Sequence, residues 1–523
     1  MRGKTGWVTA GFISLWVLAL SAGVYDATLY SQVPLVDISD ANRERYLADV
    51  RAAGVDTVLV SFIDFFEEGD ARKPLLDKLA RTIRFFETNG VPAAVWINGF
   101  GYGDVRKGAA GRRLAHSTFL TGLDGRWCGA ACPLDPVIRQ VLRENVRDVA
   151  RAGARFILMD DDYVQSARGR LGCSCSNHLA RVAAKCGRKA VTPEDVRRAF
   201  TGKPNPLRTA YLDVNGEVAV ELARELRREV DAVNPAIGMG LCASYTHWDV
   251  EGCDFPALVS AFAGGTRPFL RISGAPYWRN AKMPGTGLAE IIEFVRMQSA
   301  WVRGHDWTAL DENDPYPRRV AEVPAWRCEL YDKAIIADGR LARHKYMLCY
   351  GPERTEPGYL EAHLANRPDD AKLRAIFMGT TPYGVKVTYP QHRLREAELP
   401  IPFAGEDLLT ALYSQPTGAF ALRRKGIPTR FDGPDATDEP LAVTIRAGSP
   451  DIYQIVHCDR EKGEYAVLLE NMGNAAMDVT IVTASPATPI ATLRGDFAVA
   501  PDGLTCKRLP AHGYAAVRFA LRR

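Results

Sequence analysis

The chain has 523 residues, of which 47% are hydrophobic and 24% are charged. A chain of this length holds several domains, and the composition is that of an ordinary globular enzyme. The net charge of +4 is nearly balanced, and no run rich in lysine and arginine stands out, so no nucleic-acid partner is predicted. The eleven cysteines are an odd number and are mostly scattered, which excludes the disulfide framework of a small secreted protein.

The N-terminus has two interpretations. Residues 1–22 combine a basic start, an apolar run and small residues near Ser21 and Ala22, as a secretory signal peptide does. The same run also fits a first buried strand, because buried strands are continuously apolar. A signal peptide predicts a secreted or periplasmic protein, and a strand predicts a cytoplasmic one. No other stretch reaches the roughly 20 apolar residues of a membrane span, so no membrane partner is predicted.

From about residue 40 the apolar pattern alternates between helical and strand periodicity. The predicted helices, in chain order, cover residues 41–54, 73–90, 136–153, 217–235, 287–304 and 323–339. The predicted strands cover residues 56–62, 91–99, 155–161, 237–244, 268–274, 306–314 and 343–351. Helices that alternate with short apolar strands indicate a parallel sheet with right-handed crossovers.

The number of strands distinguishes a barrel from an open sheet. Seven strands follow residue 40, and an upstream strand at 7–17 or at 28–36 completes eight. Eight strand–helix units over about 350 residues predict a TIM (β/α)8 barrel with enlarged loops. An open doubly wound sheet usually has a glycine-rich phosphate turn after its first strand, and none is present in the sequence.

The pattern changes after the barrel. Residues 1–351 are predicted to form the catalytic barrel, and residues 352–445 mix helices with short strands as in a small α/β accessory domain. Residues 446–523 contain short alternating strands separated by Gly, Pro and Asn turns, which predicts an antiparallel β-sandwich. We expect this sandwich to pack on the barrel rather than to bind carbohydrate.

Carboxylates collect at two predicted strand ends. Asp160, Asp161 and Asp162 end the fourth strand, and Glu312 ends the seventh, on the opposite side of the barrel mouth. Cleavage of a glycosidic bond requires such a pair, one carboxylic acid to protonate the leaving oxygen and one carboxylate to attack or to activate water. Crowding raises the pKa of at least one of the aspartates, which suits an acid that works near neutral pH.

Three alternatives for the aspartates stay open. They form a solvated turn that caps the next segment, or they bind a divalent cation in a metal-dependent hydrolase, or they belong to a catalytically inactive sugar-binding protein. The metal alternative usually also needs paired histidines at strand ends, and no His-x-His occurs in the sequence.

Other polar and aromatic residues near strand ends are candidates for binding a sugar, because hydroxyls accept hydrogen bonds and sugar faces stack on flat rings. Arg271 is also suited to the carboxylate of an acidic sugar. Besides Asp160, the predicted substrate-binding residues are Trp96, Asn98, His247, Arg271, Trp278 and Trp307.

A cysteine and histidine cluster follows the aspartates. Cys173, Cys175 and His178, together with an upstream Cys128 or Cys132, have the ligand types of a structural zinc site. The alternative is a set of reduced thiols in a loop. A zinc ion here would hold the loop after the fourth strand and is not required for catalysis.

These motifs resemble those of glycoside hydrolase family 42 β-galactosidases. The run Asp160-Asp161-Asp162-Tyr163 followed by Cys173-x-Cys175-x-x-His178 is similar to the family's Asp-Asn-Glu-Tyr followed by Cys-x-Cys-x-x-Cys. The segment Asp311-Glu312-Asn313-Asp314-Pro315 resembles the family segment that carries the nucleophile. The resemblance implies a TIM barrel, then an α/β trimerisation domain, then a small β domain, and hence a homo-oligomer, either a dimer or a trimer.

The resemblance also implies residue roles. Asp162 stands where the family has its acid/base glutamate, Asp161 where it has an asparagine, and Glu312 would be the nucleophile of a retaining mechanism. Cys132 would be the fourth zinc ligand. Two differences from the family pattern are that the acid/base side chain is one methylene shorter and that the asparagine is replaced by a charged residue, so a substrate other than a galactoside is expected.

Overall fold

The computed structural model describes most of the chain, namely residues 27–63, 65–100, 119–166, 171–248, 250–278, 287–348, 355–388, 393–399, 417–432 and 440–522. The predicted signal peptide at residues 1–22 lies outside these ranges. None of the helices within them is long and apolar enough to cross a membrane.

Eight parallel strands form the predicted barrel. They are β1 (Leu29–Pro34), β2 (Thr57–Phe62), β3 (Ala93–Ile97), β4 (Phe156–Met159), β5 (Gly238–Cys242), β6 (Phe269–Arg271), β7 (Thr308–Leu310) and β8 (Arg343–Lys345). The strands are hydrogen-bonded in the order β8-β1-β2-β3-β4-β5-β6-β7. Parallel bridges Leu310↔Ala342 and Asn313↔Lys345 join β7 to β8 and close the ring. The fold class is confirmed, and the first strand is the one within residues 28–36.

Helices surround the barrel and follow the strands as predicted. The longer ones are α1 (Arg43–Ala53), α2 (Arg72–Thr88), α3 (Pro136–Arg151), α4 (Ser176–Lys185), α5 (Pro193–Ala199), α6 (Pro206–Asp231), α7 (Phe255–Ala263), α8 (Leu288–Val302), α9 (Ala325–Asp338), α10 (Gly358–Asn366) and α11 (Asp370–Phe377). A hairpin of strands Phe119–Thr121 and Trp127–Ala131 lies between β3 and α3. Short 3-10 turns cover Gly69–Ala71, Tyr245–Trp248 and Arg367–Asp369.

Helix α10 occupies the position between the last and first barrel units. His363 on α10 donates from Nε2 to the carbonyl of Ala53 at the end of α1 (3.0 Å), and its Nδ1 accepts from Lys345 on β8 (3.1 Å). The ring of helices therefore continues past residue 351. The predicted accessory segment also contains helices Arg393–Glu396 and Thr417–Arg424 and short strands Thr381–Pro382, Val385–Lys386 and Thr429–Arg430.

The C-terminal strands form two antiparallel sheets that pack as the predicted sandwich. The five-stranded sheet contains Thr381–Pro382, Ile452–Asp459, Glu464–Asn471, Tyr514–Leu521 and Ala487–Leu493. The four-stranded sheet contains Val443–Ala447, Met477–Thr483, Gly503–Leu509 and Asp496–Ala500. Alternate apolar residues of both sheets share one core, as expected for strands with one buried face.

Strand alternation positions the candidate site. Apolar side chains pack together inside the barrel, namely Leu59, Ala94, Leu158, Cys242, Phe269, Leu310 and Ala342. Because side chains alternate with a period of two, the residues two positions further along the strands lie in the next layer towards the carboxyl ends. That layer includes Trp96, Asp160, Arg271, Glu312 and His344. The apolar layer inside the barrel is therefore followed, at the mouth, by a layer that is mostly polar.

Candidate active site

The three aspartates form a tight turn after β4. The amide of Tyr163 donates to the carbonyl of Asp160 (3.2 Å), which reverses the chain just beyond Met159. The Asp160 carboxylate accepts from the amide of Asp161 (2.8 Å) and lies 3.7 Å from Arg271 Nη2. The Asp161 carboxylate lies 3.5 Å from the same nitrogen, and 25% of its side chain is exposed. Both carboxylates therefore meet the guanidinium of β6.

Asp162 is directed to the backbone. Its carboxylate accepts a hydrogen bond from the amide of Gly99, and its carbonyl accepts from the amide of Phe100. The whole residue is 1% exposed. Asp162 thus joins the turn after β4 to the loop after β3. Asp161, rather than the predicted acid/base residue Asp162, shares Arg271 with Glu312.

Arg271 is the centre of the site. It is the last residue of β6 and is buried. Its Nη1 lies 3.6 Å from Glu312 Oε1 and donates to the hydroxyl of Tyr346 (3.0 Å). The oxygen distances to Glu312 and to the aspartates exceed the ~3.2 Å limit of an N–H···O hydrogen bond, so these contacts are ion pairs. Three carboxylates therefore lie around one guanidinium, and none of them forms a short hydrogen bond with it.

The neighbours of Glu312 hold it towards the barrel axis. Asp311 accepts a hydrogen bond from the amide of His344, and Asn313 donates from Nδ2 to the carbonyl of Cys328 (2.9 Å). Asp311 is thereby held by β8, and Asn313 is held by α9. Glu312 lies between them, is buried, and has no hydrogen-bond partner for Oε2 among the described residues. A buried oxygen of this kind is free to bind a ligand hydroxyl or water.

The separation of the two carboxyls has an upper limit. Asp161 and Glu312 each lie within 3.6 Å of one of the two terminal nitrogens of Arg271. Since the guanidinium is small and rigid, the oxygens are no more than about 9.5 Å apart. Carboxyl pairs in glycosidases are about 5–5.5 Å apart when they retain and about 6.5–9.5 Å apart when they invert configuration. This upper limit alone excludes neither mechanism.

Burial changes the protonation of the site. It raises the pKa of Glu312 to about 8, while Arg271 acts in the opposite direction and Asp161, Asp314 and Asp160 raise it further. Burial in the pocket also raises the pKa of Asp161 and of Asp160, and Arg271 again opposes the shift. Burial therefore favours the protonated carboxyls, and the shared guanidinium opposes this effect.

Two aromatic residues at the end of β8 complete the pocket and were not predicted. The His344 ring lies 4.6 Å from the Tyr346 ring, and Trp96 packs edge-on against Tyr346. Both ring nitrogens of His344 are buried and have no hydrogen-bond partner in the part of the chain that the structure describes. Burial, with Arg271 and Arg318 nearby, lowers the pKa of His344 well below the usual value. A neutral imidazole offers one donor and one acceptor, which suits a sugar hydroxyl.

The predicted sugar-binding residues divide into two groups. Trp96 lies at the site, with Arg271 6.0 Å from its ring. Trp278 packs against Phe294 of α8 and follows Tyr277, whose pKa is raised by burial and by the charges of the site, Glu312 first. Asn98 follows β3 and is partly exposed. These positions border the same mouth of the barrel.

Two other predicted residues do not reach the site. His247 accepts from the amide of Ser244 at Nδ1 (2.8 Å) and donates from Nε2 to the carbonyl of Tyr163 (2.8 Å), so both ring nitrogens serve the backbone. Trp307 precedes the first residue of β7 and stacks on His305. It therefore lies at the opposite end of the barrel from the carboxylates.

The predicted zinc ligands come together after the aspartate turn. Cys132, Cys173, Cys175 and His178 are buried, and their ligand atoms lie within 4.8 Å of one another. Cys132 Sγ is 3.8 Å from Cys175 Sγ and 4.0 Å from Cys173 Sγ. A tetrahedral zinc with Zn–S bonds of about 2.3 Å places its sulfurs about 3.8 Å apart. The spacing fits zinc.

The orientation of His178 also fits a metal ligand. Its Nε2 pairs with Gln165 Oε1 (2.8 Å), which makes Nε2 the donor, so Nδ1 keeps its lone pair. Nδ1 lies 3.3 Å from Cys175 Sγ and 3.6 Å from Cys132 Sγ. Gln165 is itself held by a bond from Nε2 to the carbonyl of Asn215 (2.7 Å). Support of this kind orients metal-binding histidines.

A second group of potential ligands, Glu329, Asp332 and His363, already surrounds a cation. The ammonium of Lys345 lies 2.7 Å from Glu329, 3.2 Å from Asp332 and 3.1 Å from His363 Nδ1. These residues therefore form a buried charge network under β8 rather than a metal site.

Comparison with known proteins identifies the architecture. No protein-family model matches the chain, and no curated protein matches its sequence. The structure superposes on a cold-adapted β-galactosidase from Rahnella sp. R3 (TM-score 0.55, 12% identity, 95% of this chain and 99% of that one). It superposes similarly on a β-galactosidase from Bacillus circulans sp. alkalophilus (0.56, 9%, 95% and 99%) and on α-L-fucosidase isoenzyme 2 from Paenibacillus thiaminolyticus (0.54, 10%, 96% and 100%).

The similarity covers nearly the whole chain in each case. The fold is therefore one that glycoside hydrolases use, with an eight-stranded parallel barrel followed by C-terminal antiparallel sheets. At these identities the likeness shows the fold alone, and the chemistry has to be argued from the residues at the mouth of the barrel.

Proposed function

We propose that this protein is a glycoside hydrolase that cleaves a glycosidic bond in an oligo- or polysaccharide. The observation that carries the proposal is that carboxylates from β4 and β7, Asp161 and Glu312, meet at one buried guanidinium at the mouth of the barrel. A pair of carboxyl groups facing one site is the catalytic requirement of most glycosidases. The glycosidase folds of the similar structures support the same class.

The exposure of the two carboxyls assigns their roles. Asp161 is the more exposed of the two (25% against 6% for the Glu312 side chain). An acid/base group protonates a leaving group that departs towards solvent and then activates water, so the outer residue Asp161 suits this role. Glu312, deeper in the barrel, is the nucleophile, and a covalent intermediate on it would give retention of configuration. NMR of the first-formed anomer measures that outcome.

The charges of the site favour a neutral sugar. Three carboxylates already surround Arg271, so the carboxylate of an acidic sugar would add repulsion rather than a new ion pair. The nitrogens of His344 and Oε2 of Glu312, which have no hydrogen-bond partner within the described ranges, are suited to hydroxyls. Membership of family 42 and the particular sugar stay predictions.

The same arrangement disfavours the metal-dependent alternative. Asp160 and Asp161 face the positive charge of Arg271, which would repel a divalent cation. Metal-dependent hydrolysis also requires ligands in open coordination geometry, whereas Asp162 is bound to the backbone amide of Gly99.

We further propose that Cys132, Cys173, Cys175 and His178 hold a structural zinc ion. Four closed protein ligands leave no open position, so the ion would fasten the segment after the aspartate turn to the hairpin after β3 and would supply no catalytic chemistry. The predicted dimer or trimer through residues 352–445 also remains a proposal, and light scattering after size exclusion measures it.

The test of the proposed function is a panel of nitrophenyl glycosides, with galactosides and fucosides first, and of neutral oligosaccharides. We expect turnover of at least one glycoside by the wild type, unchanged by a chelator over the assay time. The double variant Asp161→Asn/Glu312→Gln serves as the blank and should show none. Tight sugar binding without turnover would support the inactive sugar-binding alternative, and turnover that needs an added divalent ion would support the metal alternative.

Arg271 should control the pH dependence of the reaction. Because Arg271 lowers the pKa of Glu312, the substitution Arg271→Gln should raise that pKa, and Glu312 would ionise only at higher pH. The acidic limb of kcat/KM should therefore move upward by about 1 pH unit or more. Arg271→Lys, which keeps the charge, should restore part of the shift.

The control for this experiment is Arg267→Gln, which removes an exposed arginine paired with Asp306. A pH profile of Arg271→Gln that is lower at every pH but unshifted would mean that Arg271 only supports the shape of the pocket. Circular dichroism establishes that each variant is folded.

A further inference from the structure

A cavity lies at the opposite end of the barrel from the carboxylates. Its volume is ≈ 390 Å³, and it is lined by Ala27, Gly54, Arg343, Leu364, Arg367, Pro368, Asp370, Ala371 and Arg374. Arg343 is the first residue of β8, and Gly54 ends α1 just before β2. The cavity therefore opens at the N-terminal ends of the strands. Three of its lining residues are arginines and one is an acid.

Arg343 is buried at the floor of this cavity. Only 6% of its side chain is exposed. Its Nη1 bonds to Asp370 (2.7 Å) and to Asp332 (3.2 Å), while its Nε has no hydrogen-bond partner among the described residues. Asp370 is also bound to the ammonium of Lys333. Asp370, the acid beside the cavity, is therefore already shared between Arg343 and Lys333.

Arg374 contributes a positive charge without a partner. Among the described residues it forms no ion pair or side-chain hydrogen bond, and its Nη2 is buried. Burial and the nearby charge of Arg343 lower the pKa of Arg374. A buried donor that lacks an acceptor costs about 1–3 kcal/mol, and more when it is charged. An anion bound in the cavity would compensate the positive charge of this arginine.

Arg367 is fixed at the rim by the end of α1. Its Nη1 donates to the carbonyl of Ala52 (3.0 Å), and its guanidinium lies where a side chain on Gly54 would be, because a Cβ there would be 2.2 Å from Nη2. Gly54 also has a φ of 69°, in the left-handed region that favours glycine. The third guanidinium thus lies beside the cavity, next to the end of α1.

We propose that this cavity binds a phosphate-type oxyanion, either inorganic phosphate or the phosphate group of a monoester. Arg343 already pairs with two carboxylates, whereas Arg367 and Arg374 form no ion pair with a described carboxylate, and a tetrahedral anion offers three or four acceptor oxygens to such donors. The volume leaves room for a small organic group on the phosphate. The site lies at the far end of the barrel from Asp161 and Glu312, so it would act on stability or regulation rather than on bond cleavage.

The experiment uses the full chain and two probes, inorganic phosphate and glycerol 3-phosphate, by calorimetry and by thermal unfolding against sodium chloride of equal ionic strength. We expect saturable binding and a raised Tm with at least one probe. Arg374→Gln should weaken that binding about tenfold or more and leave glycosidase activity unchanged. Tighter binding of glycerol 3-phosphate would assign the site to monoesters, and equal binding would assign it to the free anion.

Two further variants make the result decisive. Arg188→Gln removes an exposed arginine from the surface beyond α4 and should leave binding unchanged. Arg367→Gln should weaken binding as Arg374→Gln does, which protects the test if one variant folds poorly. The proposal is overturned if neither probe binds, or if both cavity variants bind the probe as tightly as the wild type and Arg188→Gln.

Discussion

Glu312→Gln is expected to lower kcat by about 10³–10⁵-fold while the protein stays folded. The amide has nearly the shape of the carboxyl but cannot attack the anomeric carbon or stabilise its positive charge. Because burial already disfavours the charged carboxylate at this position, the neutral amide should not destabilise the protein. The measurement is kcat on the best nitrophenyl glycoside of the panel, with thermal unfolding as the check on folding.

Asp161 and Asp162 provide a matched pair for the same assay. Asp161→Asn should lower kcat by about 10²–10⁴-fold, and the loss should be smaller with nitrophenol as the leaving group than with a sugar, because nitrophenol needs little protonation to depart. Asp162→Asn keeps an oxygen that accepts from the Gly99 amide, so kcat should change by no more than about threefold. The reverse order of effects would restore the acid/base role to Asp162.

The sequence alone could not predict which of these two aspartates faces the site. Strand periodicity places Leu158 and Asp160 on the inner face of β4, but the strand ends at Met159. Beyond it the direction of each side chain depends on the turn closed by the bond from Tyr163 to Asp160. Three identical residues carry no signal about that turn, so the family pattern alone pointed to Asp162.

The barrel itself could be predicted because its signals are local. Each predicted strand from 56–62 onward overlaps a strand of the structure, since apolar runs between amphipathic helices admit few other folds. The predicted strands were too long, however. Residues 306–314 contain only three residues of β7. Trp307 stands at the start of this strand in the prediction as in the structure, and so lies at the other end of the barrel from the carboxylates.

The same excess in length hid His344 and Tyr346. The predicted strand covers residues 343–351, which puts its carboxyl end near residue 351, whereas β8 ends at Lys345. The pattern Arg343-His344-Lys345-Tyr346 alternates residues that face the helices with residues that face the barrel axis. Histidine and tyrosine two positions apart are the signal that would have found them, once the strand end was known.

Removal of the zinc ligands should have the largest effect on stability. Structural zinc binds with an apparent free energy on the order of 10 kcal/mol in small domains, and Cys132 and Cys175 belong to the main hydrophobic core. Cys175→Ser should therefore abolish stoichiometric zinc and lower Tm markedly, whereas Cys186→Ser, at the end of the same helix α4 and outside the cluster, should change neither. The measurements are elemental analysis of the purified protein and thermal unfolding.

A substitution at Gln165 distinguishes a metal site from a cluster of reduced thiols. If Nδ1 of His178 binds zinc, Gln165→Leu removes the acceptor of Nε2–H and should weaken zinc binding about 10–100-fold. A cluster of reduced thiols needs no such acceptor, and its stability would not depend on zinc. Protein that contains no zinc after preparation without chelators, with equal Tm for Cys175→Ser and Cys186→Ser, would show that the four side chains pack as thiols. Loss of zinc together with retained glycoside turnover would instead fix the ion as structural, because the carboxylates at Arg271 would still perform the chemistry without it.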